Sequence, residues 1–266
     1  MVRKKRTQET DYHHPAPKIR NQRSLMIEEL LSLYQNEVEA LRERVEFTVA
    51  ACYPNLYIRS RTSPLENEGW WLSREDPGAL VRSFSLLKLK EGYKLGGYLF
   101  KEGGHGNGIV WAFPEEEQAP EAEACERMKA EDHSLRPPRP HQALSDFMQV
   151  IDGDGCPLSY LQAAVLFHEL HEFGAIGQGV SWSEDVFYSP EEMEVDYDWE
   201  MLREYPKRTT PCFFYNHRGR PVVRFYTIIR IGEVTWNEYL HTFRKGSYEL
   251  KVEKDYIATG GPGIIL

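Results

Sequence analysis

Pro157-Leu158-Ser159-Tyr160-Leu161-Gln162-Ala163-Ala164-Val165-Leu166-Phe167-His168-Glu169-Leu170-His171-Glu172-Phe173 is an apolar run that ends at Gly174. A helix brings residues three and four apart to one side. His168 and Glu172 therefore share a face, and that face also carries Leu158, Leu161 and Val165. Two titratable groups on an apolar face need partners, a metal or a chemical task. Apolar residues occur nearly all round this helix. Only Gln162 and Glu169 mark a polar direction, so most of the helix is expected to be buried.

The segments on either side set an architecture. A short helix over about 141–151 and the turn Asp152-Gly153-Asp154-Gly155 precede the run, which makes a central helical pair. Downstream, residues 193–200 alternate with period 2. Cys212 to Tyr215 and Val222 to Ile231 flank Asn216-His217-Arg218-Gly219-Arg220 as a hairpin. Thr235-x-x-Glu238 has the spacing of a capping box and predicts a short helix through about Arg244. Tyr248, Leu250 and Val252 alternate with charged residues as a last strand. Upstream, Ser24 reads as an N-cap for an amphipathic helix over about 25–51, which Pro54 ends. Leu56 to Arg59, Trp70-Trp71-Leu72, Ser83 to Lys90, Tyr93 to Phe100 and Ile109 to Phe113 read as an antiparallel meander. Glu91-Gly92 and a glycine-rich tip at 103–108 make its turns.

These segments predict an α+β fold with a long N-terminal helix, mainly antiparallel sheet and the central helical pair. Residues 1–23 are expected to form a flexible basic arm and 24–113 the helix and meander. Residues 114–140 are an acidic Pro/Glu-rich linker or long loop. Residues 141–266 hold the helical pair and a β-rich region that stands alone or packs with 24–113 as one domain.

Composition narrows the function classes. Of 266 residues, 41% are hydrophobic and 12% aromatic, enough to build a core rather than a disordered chain. No apolar run approaches the ~20 residues that span a bilayer, and no apolar stretch follows the charged N-terminus as in a signal peptide. The expectation is a cytoplasmic protein with no membrane partner. Cys52, Cys125, Cys156 and Cys212 form no C-x-x-C pair, so zinc knuckles and disulfide frameworks are not expected. The net charge is −9, yet residues 1–23 carry seven Lys/Arg against Glu9 and Asp11, a net +5 that leaves −14 for the rest. A basic arm on an acidic body is a docking element for phosphates or an acidic surface. Its candidate binding residues are Arg3, Lys4, Lys5, Arg6, Arg20 and Arg23.

Each chemical motif meets a spacing test. A zinc-protease helix needs two imidazoles at i and i+4, and these histidines lie at i and i+3. His168 and Glu172 remain the candidate catalytic pair, either as metal ligands or as a base and its orienting group. Glu194, Asp196, Asp198 and Glu200 put four carboxylates on one strand face. Asp196 and Asp198 could join His168 and Glu172 around a divalent metal. Asp152-Gly-Asp154-Gly lacks the remaining ligands of a calcium loop, with Val150 and Leu161 where carboxylates belong. Gly103 to Gly108 lacks the Lys-Ser/Thr of a phosphate loop, although His105 on its tip is placed to meet a ligand. Glu249-Leu-Lys251 has the spacing of some metal-dependent nucleases and needs an acidic partner on a neighbouring strand.

With no complete catalytic constellation, the sequence favours a non-catalytic cytoplasmic adaptor or assembly subunit binding a protein partner, with no resident cofactor. The first alternative is a metal-dependent hydrolase or nuclease centred on His168, Glu172 and strand 194–200. The second is a nucleic-acid-binding accessory protein acting through the arm.

Overall fold

The computed structural model describes residues 69–102, 105–128, 136–175, 184–186, 197–207, 209 and 211–263. The basic arm, the 25–51 helix and the 56–59 strand lie outside the described residues. Within them the α+β expectation does not hold. The architecture is predominantly β, with two α-helices, α1 (Gly78–Ser83) and α2 (Pro157–His171). Every ladder is antiparallel.

Two sheets enclose α2. The smaller joins β1 (Gly69–Leu72), β3 (Tyr93–Glu102) and β4 (His105–Pro114) in the order β1-β3-β4, while β2 (Leu87–Leu89) pairs elsewhere. The larger contains β8 (Glu184–Val186), β9 (Glu200–Met201), β10 (Cys212–Tyr215), β11 (Pro221–Ile229), β12 (Glu233–Phe243) and β13 (Leu250–Pro262). Its order is β10-β11-β12-β13-β9, and β8 pairs with the far end of β11. Leu95, Leu99, Val110 and Ala112 from the small sheet share one core with Leu161, Val165, Leu166 and Leu170 of α2. Val223, Phe225, Tyr239 and Phe243 from the large sheet complete that core. The helix is thus a middle layer between two sheets, and Gln162 and Glu169 are buried along with its apolar residues. Burying one such Leu or Val side chain is worth about 1.5–3 kcal/mol.

Both sheets are also covered on their outer faces. Trp70, Tyr98, Phe100, Trp111 and Phe113 pack under the segment 119–128, where Ala122 is fully buried. Tyr98 Oη donates to the Pro120 carbonyl at 2.7 Å, and Trp111 Nε1 donates to the Pro138 carbonyl at 2.9 Å. β5 (Glu126–Arg127) and β6 (Pro138–Arg139) pair within this acidic stretch. On the large sheet, Tyr226, Ile228, Val234, Trp236 and Ile257 meet Tyr197 and Trp199.

Three sequence expectations are corrected. The central helical pair is a single α-helix. Residues 147–150 make one 3-10 turn, capped where the Met148 N–H donates to Asp146 Oδ1 at 2.8 Å. The chain then enters β7 (Ile151–Gly153), which pairs with β2, so β2 is not part of a meander with β3. The region read as a helix over 235–244 is β12. Thr, Trp and Tyr favour strands, and burial on both faces from Val234 to Asn237 hides the period of 2 where the helix was expected to begin. Of the expected strand 193–200, residues 193–196 lie outside the described residues, and the described part pairs in β9 from Glu200. The hairpin at 212–229 forms with Cys212 opposite Arg224. Its turn is held by Asn216 Oδ1, which accepts from the Arg218 and Arg220 N–H groups at 2.9 and 3.1 Å.

The C-terminal end of α2 sits hard against the small sheet. A Cβ at Gly108 would collide with the Phe173 carbonyl oxygen, and one at Gly97 with the Phe173 ring. Backbone cannot give way as a flexible side chain does. Gly108→Ala should therefore cost at least about 2 kcal/mol by overpacking. Gly219→Ala in the exposed 216–220 turn meets nothing and pays only for its positive φ. Urea unfolding of the two variants checks the contrast.

Candidate functional site

The helix α2 carries His168 into the sheet rather than toward solvent. The pairing of Val223 with His241 and Phe225 with Tyr239 puts these four side chains on the face that α2 covers. There His168 Nε2 lies 2.7 Å from His241 Nε2. His168 is 8% exposed and His241 not at all. Aromatic rings close round them. Tyr239 stands edge-on to His168 with centroids 5.0 Å apart, Phe225 stacks on His241 at 4.8 Å, and Phe167 is edge-on to His168 at 5.3 Å.

A separation of 2.7 Å between two ring nitrogens is a hydrogen bond in which one Nε2–H donates to the bare Nε2 of the other. Two imidazoles on one tetrahedral metal, at 2.0–2.1 Å each, hold their nitrogens about 3.3 Å apart. The observed spacing is that of a hydrogen bond. Burial pushes the His168 pKa well below its ordinary value, with further lowering from His241, His171 and Lys254. Burial likewise pushes His241 down to about 3, partly opposed by the Val223 backbone. Both rings are neutral near pH 7. The pair can hold α2 on β12, and it has no charge to lend to a substrate.

The other expected site residues scatter. Glu172 caps the C-terminus of α2, with its N–H on the His168 carbonyl at 3.0 Å, and is half-buried. Asp198 is exposed, and Asp196 lies outside the described residues, as do Arg3, Lys4, Lys5, Arg6, Arg20 and Arg23. Among the described residues no group of three or more His, Cys, Asp or Glu is arranged to hold a metal. Asp154 accepts the Cys156 N–H at 2.9 Å, which lowers its pKa and shapes the entry to α2. Asp152 faces Lys88 at 3.5 Å. Glu249 and Lys251 of the E-x-K spacing are engaged separately, with Arg244 at 3.2 Å and Glu253 at 2.7 Å. His105 pairs in register with Glu102 at the tip of the β3–β4 hairpin. His241 is the residue that sequence reasoning missed. Its signal was the alternation Tyr239-x-His241-x-Phe243, which the capping-box spacing obscured.

The surface offers more than the core. Met201, Leu202, Tyr205 and Tyr256 are exposed beside the pairing of β9 with β13. Phe214 and Tyr215 are exposed on β10, at the other side of the same sheet. Comparison with known proteins returns no match, whether to a family model, a curated protein or a solved structure.

Depressed histidine pKa values make stability depend on pH with a definite sign. Below about pH 6.5 the unfolded chain binds protons that the folded pair refuses, so stability falls as the pH falls from 6.5 toward 3. The loss approaches about 1.4 kcal/mol per pH unit for each histidine. Urea midpoints measured between pH 7 and 5 should show this slope, and the His241 ring resonance should not titrate above about pH 4.5. His241→Ala at pH 7 should cost about 2–4 kcal/mol through the cavity and the unpaired His168 nitrogen.

Proposed function

We propose that this chain is a non-catalytic cytoplasmic adaptor or assembly subunit that binds a protein partner at the β9 edge of its large sheet. The observation that carries this reading is the set of large apolar side chains held there in the open. Leu202 is 53% and Tyr256 52% exposed, with Met201 and Tyr205 beside them. Leaving such groups in water is unfavourable, and Met and Tyr are enriched where protein partners cover them. The edge is rigid before any partner arrives. The Leu202 N–H donates to the Ile257 carbonyl at 2.9 Å, and Arg203 donates twice to Asp255 at 2.7 and 2.8 Å. Tyr205 lies 5.3 Å from the Trp236 ring. Preorganisation of this kind lowers the ordering cost of association.

One further observation supports the reading. His168, which motivated the hydrolase alternative, takes part in a sealed neutral pair. No helix among the described residues is long and apolar enough to cross a membrane. The cytoplasmic placement is part of the proposal and fits the free thiols of Cys125, Cys156 and Cys212.

The test is co-purification from the cells that make the protein. Wild type should carry one partner in fixed stoichiometry, and a photo-crosslinker at position 202 should give one discrete adduct. Leu202→Asp with Tyr256→Lys should lose both, with the melting temperature within about 2 °C of wild type because the sites are exposed. A variant that retains the partner, or a wild-type chain that elutes alone, overturns the proposal.

A further inference from the structure

We infer that the opposite end of the large sheet binds single-stranded nucleic acid, at a surface distinct from the β9 edge. The register creates it. Tyr215 pairs with Pro221, Val222 with Thr242, and Phe243 with Leu250. The β10–β11 turn at 216–220 and the β12–β13 turn at 244–249 therefore lie side by side. Together they present His217, Arg218, Arg220, Arg244 and Lys245, all exposed. Among the described residues no carboxylate lies within ion-pair distance of Arg218, Arg220 or Lys245, and only Arg244 has one, Glu249 at 3.2 Å. Elsewhere among the described residues exposed cations stand apart from one another, some matched, as Arg82 is by Asp76, Arg203 by Asp255 and Lys251 by Glu253, and some not, as Arg74, Arg127 and Lys207, whereas these two turns bring five basic side chains to one end of the sheet. Unneutralised charge concentrated on a chain of net −9 marks a place for an anion. At physiological salt the acidic groups beyond about 8 Å are screened.

The aromatic neighbours select the anion. Tyr215 adjoins the first turn and is 62% exposed, and Phe214, also exposed, lies on the other face of β10. Tyr215 is braced from below by ring contacts that run into the core. It stands edge-on to Phe213 at 5.2 Å, Phe213 stacks on Tyr160 at 5.7 Å, and Tyr160 stacks on Tyr248 at 5.0 Å. Tyr248 Oη in turn lies 2.7 Å from Ser159 Oγ and accepts the Gly155 N–H at 2.9 Å. That contact brings the N-terminal end of α2 to the same end of the sheet. A braced exposed ring beside guanidinium groups that have no ion pair supplies the elements that hold a single strand, a base on the ring and phosphates on the cations. A carboxylate peptide would use the charge and leave the rings idle.

The test uses the full chain, because the arm at residues 1–23 is itself basic. A fluorescent mixed-sequence oligonucleotide of about twelve residues is titrated at about 50 mM salt and again at higher salt. Arg218→Glu with Arg220→Glu should weaken binding about tenfold or more and flatten the salt dependence by about one to two in slope. Tyr215→Ala should weaken it about fivefold or more with the salt slope unchanged. Replacing Arg3, Lys4, Lys5 and Arg6 with Ser should leave both effects in place, and circular dichroism should show every variant folded. The proposal is overturned if the oligonucleotide does not bind. It is overturned if the arm variant alone abolishes binding while the turn variants match wild type. It is also overturned if an acidic peptide of equal charge displaces the oligonucleotide and Tyr215→Ala binds as wild type does, the result expected of a carboxylate partner.

Discussion

From Ser159 to Leu170 the helix α2 lies enclosed between two sheets, with only His171 at its end exposed, and that constraint governs the rest of this fold. Each buried polar side chain on α2 must find its partner inside the protein or lose the free energy of hydration outright. Ser159 meets Tyr248 at the N-terminal end of the helix. Gln162 accepts the Leu86 N–H at 3.0 Å and reaches Ser85 at 3.2 Å, which ties the helix to the connection between α1 and β2. His168 meets His241 in the large sheet. Each bond contributes only about 1 kcal/mol net, while each left unmade would cost about 1–3 kcal/mol. Their larger effect is to single out one position of the helix among the many that would bury the same apolar area. A shift of one residue would strand all three groups.

This constraint also explains which parts of the fold were legible in the sequence. The helix was legible because an uninterrupted apolar run ended at a glycine. The β10–β11 hairpin was legible because its turn is local: Asn216 folds its own side chain back onto the Arg218 and Arg220 N–H groups. β12 was not. Thr235 and Glu238 match the spacing of a helix cap, and from Val234 to Asn237 burial on both faces removes the polar alternation that would have contradicted it. The short helix before α2 was misread for a related reason, since Asp146 caps a single 3-10 turn with the same chemistry that begins an α-helix. Short local signals of this kind decide a structure only where tertiary contacts do not outweigh them.

The candidate site shows the same limit. The sequence placed His168 and Glu172 on one helical face, and that geometry is correct for an unbroken helix. The chain, however, ends its helix at His171 and uses Glu172 as the cap. The decisive neighbour of His168 comes from 73 residues later in the chain. Nothing local to either histidine announces the other. Misreading β12 as a helix removed the one alternation that would have pointed His241 toward the core. The acidic row at 194–200 suffered differently, because only its last members, Asp198 and Glu200, fall among the described residues.

Burial therefore divides the chemistry of this molecule into two kinds. Inside, His168 and His241 are held neutral, since a charge on either would face aromatic rings and a second imidazole rather than water. Outside, cations and large rings stand at opposite margins of a sheet whose long central strands β11, β12 and β13 fix their separation. On the two proposals above, a sheet with an apolar edge on one side and a basic aromatic end on another would hold two partners at once. The contacts that set this arrangement are ladder pairings and ring stacks, which neither partner needs to disturb. The internal polar ties of α2 hold the helix in one position against the sheet that carries both surfaces.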